Sequence, residues 1–309
     1  MCFMDMTLSV AIITYNQEQY ISQTLDSILI QQHNYPYEIV VGDDCSSDGT
    51  RKIIDAYVEK YPNIIKTLYN EKNLGLIGNY FNVIAHCAGK YIMECAGDDW
   101  WVSGKVENQI QFMETHEDIG MCYGKVKIWN EKKNSFEKKS LGAKCESFEE
   151  LIQGNAVPAV SVCIRNSIYR KYIESINPAN QNWAMEDYPA WLWFSKESKI
   201  KFLDSDFAVY RILQESASHS TDVDKYVAFH RSVNDIQNFY RTMYSMDNIS
   251  FDLHKAREEF YSEKGDRKLA YRELKLVENK SFKLYIKYLL YSNPVLFSLL
   301  KLYRKIKYE

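Results

Sequence analysis

At 309 residues the chain has room for one large domain, or a domain with an appendage, and an ample core. Its hydrophobic fraction of 46% and charged fraction of 26% are those of an ordinary globular protein, and a net charge of −3 lacks the basic footprint of a nucleic-acid binder. Seven scattered cysteines with no C-x-x-C pair argue against a disulfide framework or zinc site and for a reducing compartment.

Taken in chain order, "MCFMDMTLSVAIITYN" has no cationic leader, and no run of 18 apolar residues follows anywhere, so the chain reads as cytoplasmic. "LSVAIIT" (8–14) is a β-branched apolar run, the pattern of a strand covered on both faces. Residues 18–32 repeat apolar side chains at helical spacing, and "YEIVVG" (37–42) is a second strand. After the turn-rich "DDCSSDGT", Ser47 or Asp48 can cap the helix "TRKIIDAYVEKY". A third strand (64–70), a third helix (76–88) and a fourth strand (90–95) complete an alternation that predicts a parallel, right-handed α/β sheet.

The second half is less regular. Residues 119–136 read as a strand entering a hairpin, "FEELIQG" as a short helix and 159–166 as a strand. Residues 184–198 form a helix with an acidic first turn, and 200–213 supply two short strands. From Asp222 the pattern is helical, with helices near 222–245, 250–277 and 282–307. Charge divides similarly: residues 221–309 carry 17 basic against 12 acidic side chains, and residues 1–220 carry 21 against 29.

Four polar clusters fall at the carboxyl ends of strands or at a helix start, where ligands of such sheets bind. Thr14, Tyr15 and Asn16 leave the first strand; Asn16 either caps the next helix or the turn lines a nucleotide. Asp43 and Asp44 end the second strand, as ordinary turn residues or as acceptors for the imide N–H of uracil. Asp98 and Asp99 in "CAGDDWW" repel each other unless compensated; they are either an exposed turn or a site for Mg²⁺ or Mn²⁺, which take oxygen ligands and the phosphates of a substrate. Glu186 and Asp187 sit at a helix N-terminus, stabilised by its dipole or serving as a general base.

In this order, "SVAIITYNQEQYISQTLDSILIQ", "YEIVVGDDCSSDGT", "NEKNLGLIGN", "GKYIMECAGDDWWVSGKVENQIQFM" and "MEDYPAWLW" resemble the family 2 glycosyltransferases of the GT-A fold, across most of residues 7–215. The resemblance implies a Rossmann-like, mostly parallel α/β sheet flanked by helices. It implies a catalytic domain over 1–220, with a nucleotide-sugar half to about residue 100 and an acceptor half from about 101, and a helical C-terminal extension over 221–309. Thr14, Tyr15, Asn16 and nearby Glu18 match the first nucleotide loop, and Asp44 or Asp43 the carboxylate holding the base. "GDD" stands where the family has Asp-x-Asp, so Asp98 is expected on the ribose or diphosphate and Asp99 on Mn²⁺ or Mg²⁺. Asp187 matches the general base of a direct, inverting displacement.

Departures are visible too. Gly97 replaces the first Asp of Asp-x-Asp, and "NYFNV" (79–83) replaces an Arg-Asn pair. Leu213 stands where many members have His in "YR-x-H"; His219 either takes over a metal or phosphate contact or is a surface histidine. The absence of Q-x-x-R-W favours transfer of one sugar over a processive synthase. Residues 279–309, with seven basic side chains and one acidic, form a basic amphipathic helix that either lies on an anionic membrane surface or packs on the catalytic domain. The expected function is thus transfer from a nucleotide-diphosphate sugar, UDP-linked, to a glycan acceptor on a lipid carrier at the inner face of the membrane. Acceptor selection is expected in residues 130–185 and the helical tail. The rival readings are a catalytically silent sugar-nucleotide scaffold and a nucleotidyltransferase; the latter lacks its Gly-rich basic loop in "TYNQEQY".

Overall fold

The computed structural model describes residues 6–213, 221–277, 281–293, 295, 296, 298 and 299. The chain forms two units, Met1–Ile212 and Leu213–Glu309. The first begins with the expected alternation: β1 (Leu8–Thr14), α1 (Ile21–Leu29), β2 (Tyr37–Asp43), α2 (Thr50–Lys60), β3 (Ile65–Tyr69), α3 (Gly75–His86) and β4 (Tyr91–Ala96). Next come β5 (Trp100–Trp101), α4 (Lys105–Thr115), β6 (Ile119–Asn130), β7 (Ser135–Leu141) and α5 (Phe148–Leu151). The unit closes with β8 (Cys163–Arg165), α6 (Asn166–Ile176), α7 (Asp187–Glu197) and β9 (Lys199–Ile212).

One sheet collects all nine strands in the order β3-β2-β1-β4-β8-β6-β9-β5, with β7 added to β6. β1 pairs in parallel with β2 and β4, and β2 with β3. Because β8 is antiparallel to both β4 and β6, β6 returns to the direction of β4, and β9 runs parallel to β6. The carboxyl ends of six strands therefore share one edge. The core explains the β-branched runs: Leu8, Val10 and Ile12 of β1 pack with Ile39 and Val41 of β2, and with Ile21, Leu25 and Ile28 on the inner face of α1. Each such side chain contributes about 1.5–3 kcal/mol when fully buried.

Three expectations change. Residues 200–213 form one strand, not two, because the polar "LDSD" is a bulge: β6 shifts register from Gly124↔Leu203 to Lys125↔Asp206 and resumes pairing to Ile212. Residues 159–161 are a 3-10 turn, leaving only Cys163–Arg165 as strand. The helix expected over 250–277 is two, split at Gly265, whose φ of +74° no continuing helix adopts.

The second unit comprises α8 (Val223–Met243), α9 (Leu253–Glu263), α10 (Arg267–Leu276) and α11 (Phe282–Ser292). Asp222, Asp252, Asp266 and Ser281 cap these four helices with side-chain oxygens. Leu284 and Tyr291 of α11 pack with Ala270, Leu274 and Val277, and Lys287 pairs with buried Glu258 at 3.0 Å. That face is thereby used, while Phe282, Tyr285, Ile286 and Leu289 remain exposed. No helix among the described residues is long and apolar enough to cross a membrane.

Candidate active site

Loops leaving β1 and β2 are laced into one surface. Asn16, at φ +51°, does not cap α1, which starts five residues later. Instead its Oδ1 accepts from the Ser47 amide (2.8 Å), while its own amide donates to Ser46 Oγ (2.9 Å). The Gln17 amide donates to Thr50 Oγ1 at 2.8 Å, and Glu18 takes the Gly49 amide while giving its own to Asp48. Asp48 also accepts from the Thr50 amide, but the cap position of α2 is Gly49, with no side-chain capping bond, so neither Ser47 nor Asp48 caps that helix as expected. Tyr15 is left 49% exposed on this platform.

The two aspartates ending β2 do different work. Asp43 binds Arg51 through its carboxylate and accepts from the Ser46 amide (3.1 Å); its Oδ2 is buried without a partner. Asp44 reaches into the third loop, where Oδ1 accepts from the Leu74 amide (2.7 Å) and Asn70 Nδ2 (3.0 Å), and Oδ2 from the Gly75 amide (2.9 Å). Asp44 thus binds the loop after β3 to the end of β2, and Oδ2 retains one lone pair for a further donor.

Beyond β4, α1 clamps the acidic turn: Thr24 Oγ1 donates to the carbonyls of Gly97 (2.9 Å) and Asp99 (2.7 Å). A Cβ on Gly97 would lie 2.4 Å from Gln17 Oε1 and 2.8 Å from Thr14 Oγ1. Gly97 is therefore a packing requirement of this loop, and Gln17 occupies the space a third carboxylate would need. Asp99 is buried and Asp98 half-buried; burial raises both carboxyls, and the Asp98 charge raises Asp99 further.

Arg211, at the end of β9, organises the turn from the other side. Its backbone amide donates to Asp99 Oδ1 (2.8 Å) and its Nε to the Asp98 carbonyl (2.8 Å). The remaining guanidinium nitrogens go to Glu131 and Gln23, between the rings of Tyr20 and Trp100. The guanidinium thus hydrogen-bonds neither carboxylate of the pair. Two adjacent, raised carboxylates without a bonded cationic side chain among the described residues fit a divalent cation. No group of three or more His, Cys, Asp or Glu ligands gathers among the described residues, so such an ion would draw its other ligands from phosphate or water.

Asp187 opens α7, accepting from the Tyr188 amide (2.6 Å) and from Asn155 Nδ2 (3.2 Å). Burial raises its carboxyl. It connects to β4 electrostatically: Glu94, buried and bonded by the Tyr80 hydroxyl, is pushed up to about 8 by burial, with the Asp187 charge adding to the rise. Glu186 also rises to about 8, through burial and then Asp187. Tyr80 in turn meets the Tyr169 hydroxyl. The structure thus brings Thr14, Tyr15, Asn16, Glu18, Asp43, Asp44, Asp98 and Asp99 onto one edge and places Asp187 within electrostatic reach of β4; His219 lies outside the described residues.

Sequence reasoning missed Gln17, Asn70, Glu94 and Arg211. Only Arg211 carried a signal, in the "YR" of the "YR-x-H" context. A cleft of about 520 Å³ lies at the other end of β6 and β9, among His116, Asp118, Glu146, Lys199 and Lys201. Its charges are already paired, Lys199 with Asp118 at 2.7 Å and Lys201 with Glu146 at 3.2 Å.

The chain is similar to an uncharacterised protein of Mycobacterium tuberculosis, 27% identical over 224 residues, 71% of this chain and 62% of that one. It thus spans about three fifths of that relative's length. It is 29% identical over 217 residues to the Escherichia coli UDP-Glc:alpha-D-GlcNAc-diphosphoundecaprenol beta-1,3-glucosyltransferase WfgD, covering 69% of this chain and 80% of that protein. Among solved structures, S. aureus TarS 1-349 in complex with UDP-GlcNAc superposes with a TM-score of 0.57 over 88% of this chain and 84% of that one. At 17% identity that likeness shows the GT-A fold. The sequence profile of glycosyl transferase family 2 matches residues 9–174, more than half the chain, and with the fold and its loop edge this places the protein in that family.

Proposed function

We propose that the protein transfers one sugar, with inversion, from a UDP-sugar to a hydroxyl of a lipid-linked glycan. The observation that carries the reading is the Asp98–Asp99 pair at the loop edge, half-buried and buried, held by Thr24 and Arg211 yet without a bonded cationic side chain among the described residues. Support for the donor and acceptor classes comes from the UDP-GlcNAc in the TarS complex and the lipid-diphosphate acceptor in the name of WfgD.

In this reading Tyr15 offers its exposed ring to the base, with Thr14, Asn16 and Glu18 shaping the platform beneath. Asp44 Oδ2, or the unpartnered Asp43 Oδ2, accepts the imide N–H. Asp98 faces the ribose or diphosphate. Asp99 holds Mn²⁺ or Mg²⁺, which when bound neutralises the diphosphate and stabilises its departure. Asp187 accepts the proton of the attacking acceptor hydroxyl, its orientation fixed by Asn155 and the first amide of α7. We assign catalysis to residues 1–220 and a helical extension to 221–309. The exposed face of α11, within the basic stretch 279–309, rests on the anionic inner surface of the membrane where such an acceptor resides.

The test is a thermal-shift panel of UDP, GDP, dTDP and CMP sugars with and without Mn²⁺, followed by transfer to GlcNAc-diphosphoundecaprenol. A metal-dependent shift confined to UDP-sugars, with turnover, is the expected result. Binding without turnover on any glycan acceptor converts the protein into a scaffold, and no response to any nucleotide removes the reading.

A further inference from the structure

The donor reading leaves one part of the same edge unused. Trp129 and Phe136 face each other in register across the β6–β7 hairpin, their rings 5.0 Å apart and nearly perpendicular. Trp129 meets Trp100 edge-on at 6.4 Å, and Trp100 directly follows the aspartate pair. Arg211 lies 4.7 Å above the Trp100 ring while its amide holds Asp99. An aromatic row therefore runs from an open hairpin to the acidic turn. Because β6 ends at the same edge as β4 and β9, the row starts at the mouth of the candidate active site.

Hairpin stability alone accounts for a cross-strand aromatic pair. It does not account for the rim. Phe136 is 53% exposed, and on the same hairpin Glu131, among the described residues, spends only Oε2, on the Trp129 indole N–H (2.9 Å) and Arg211; its side chain is 39% exposed. Glu137 likewise concentrates its bonds on Oε1, from Asn130 (2.8 Å) and Lys133 (2.9 Å). An open phenylalanine ring beside a half-buried tryptophan, edged by carboxylate oxygens with acceptor capacity left, suits a pyranose. The apolar C–H face of the ring covers an aromatic plane, and its equatorial hydroxyls donate at the edge.

We propose that Trp129 and Phe136, with Glu131, form the subsite that holds a sugar ring of the acceptor glycan and so sets which hydroxyl meets the donor. The inference rests on the transferase reading, and it assigns acceptor choice to the β6–β7 hairpin. Saturation-transfer NMR on the full chain tests it, with methyl β-D-glucoside, methyl β-D-galactoside and methyl α-N-acetylglucosaminide as probes and UDP as a reference in the same tube. Saturation should reach the ring C–H protons of at least one glycoside. Phe136→Ala should reduce that signal at least five-fold, and Phe136→Trp should restore it. Phe136 is exposed enough for both variants to fold, and the UDP signal reports an intact donor side. No glycoside signal, or an equal signal in Phe136→Ala, overturns the subsite while UDP binding keeps the transferase reading alive. Loss of the UDP signal from the wild type itself overturns both.

Discussion

At the scale of single residues, the site is governed by what surrounds each carboxylate more than by where it falls in a motif. Asp187 is raised by burial against the lowering effect of its two hydrogen bonds, which places its proton affinity nearer that of the hydroxyl proton it is proposed to accept. Replacing it with Asn keeps the shape and removes the base. Transfer should slow by about 10²–10⁴-fold, the usual share of general-base catalysis, while UDP-sugar affinity stays within about two-fold. Single-turnover transfer beside a calorimetric titration separates the two quantities, and unchanged turnover would remove Asp187 from the reaction. Gly97 makes the opposite point. Its missing side chain matters because Gln17 and Thr14 crowd the position. Gly97→Ala forces them apart and should cost about 1–3 kcal/mol, read as a lower urea midpoint at constant slope. Unaltered stability would show that the loop yields freely.

At the scale of elements, the strands β1, β2 and β4 were legible because both of their faces are buried, which writes a largely apolar run. The bulge in β9 was not, since "LDSD" looks like a break unless the register of β6 beside it is known. The work of Asp44 was hidden for a related reason: its partners Asn70, Leu74 and Gly75 lie 26–31 positions away and two of them donate backbone amides, which carry no residue signature. Arg211 joins β9 to a turn 112 residues earlier. Motifs thus showed which carboxylates gather at the edge, and not which of their oxygens the protein itself consumes. This has a consequence for the third loop. Asp44→Ala removes three hydrogen bonds at once, leaving the Leu74 amide without its acceptor and the Gly75 amide with Asn73 Oδ1 alone, a loss of about 1–3 kcal/mol concentrated on one segment. Hydrogen exchange should accelerate by at least ten-fold at residues 70–75 and little in β1 or β4. Uniform acceleration would mean that Asp44 supports the whole unit instead.

At the scale of the whole molecule, the buried carboxylates tie stability to pH and to ligand in opposite directions. Glu94 and Glu186 hold their protons up to about 8 in the folded chain, against an ordinary 4.5. Between those values the folded state binds more protons than the unfolded one, so their contribution is complete below about pH 4.5 and is lost as pH rises through 8. The ligand-free protein should therefore lose thermal stability from pH 6 to pH 8, and Glu94→Gln should flatten that slope. Asp98 and Asp99, both raised by burial and Asp99 further by the Asp98 charge, must release protons before oxygen can bind a cation. Stabilisation by UDP with Mn²⁺ should then grow as pH rises, reaching about 2.7 kcal/mol where ligand stands at a hundred times its dissociation constant. Scanning calorimetry at pH 6, 7 and 8, with and without UDP and Mn²⁺, measures both slopes in one series. If the ligand increment stays flat while the ligand-free curve falls, the cation is not held by the aspartate pair. If the ligand-free curve is itself flat in both wild type and Glu94→Gln, the two glutamates enter the folded state charged and the buried cluster beneath Asp187 must be compensated by ions or water.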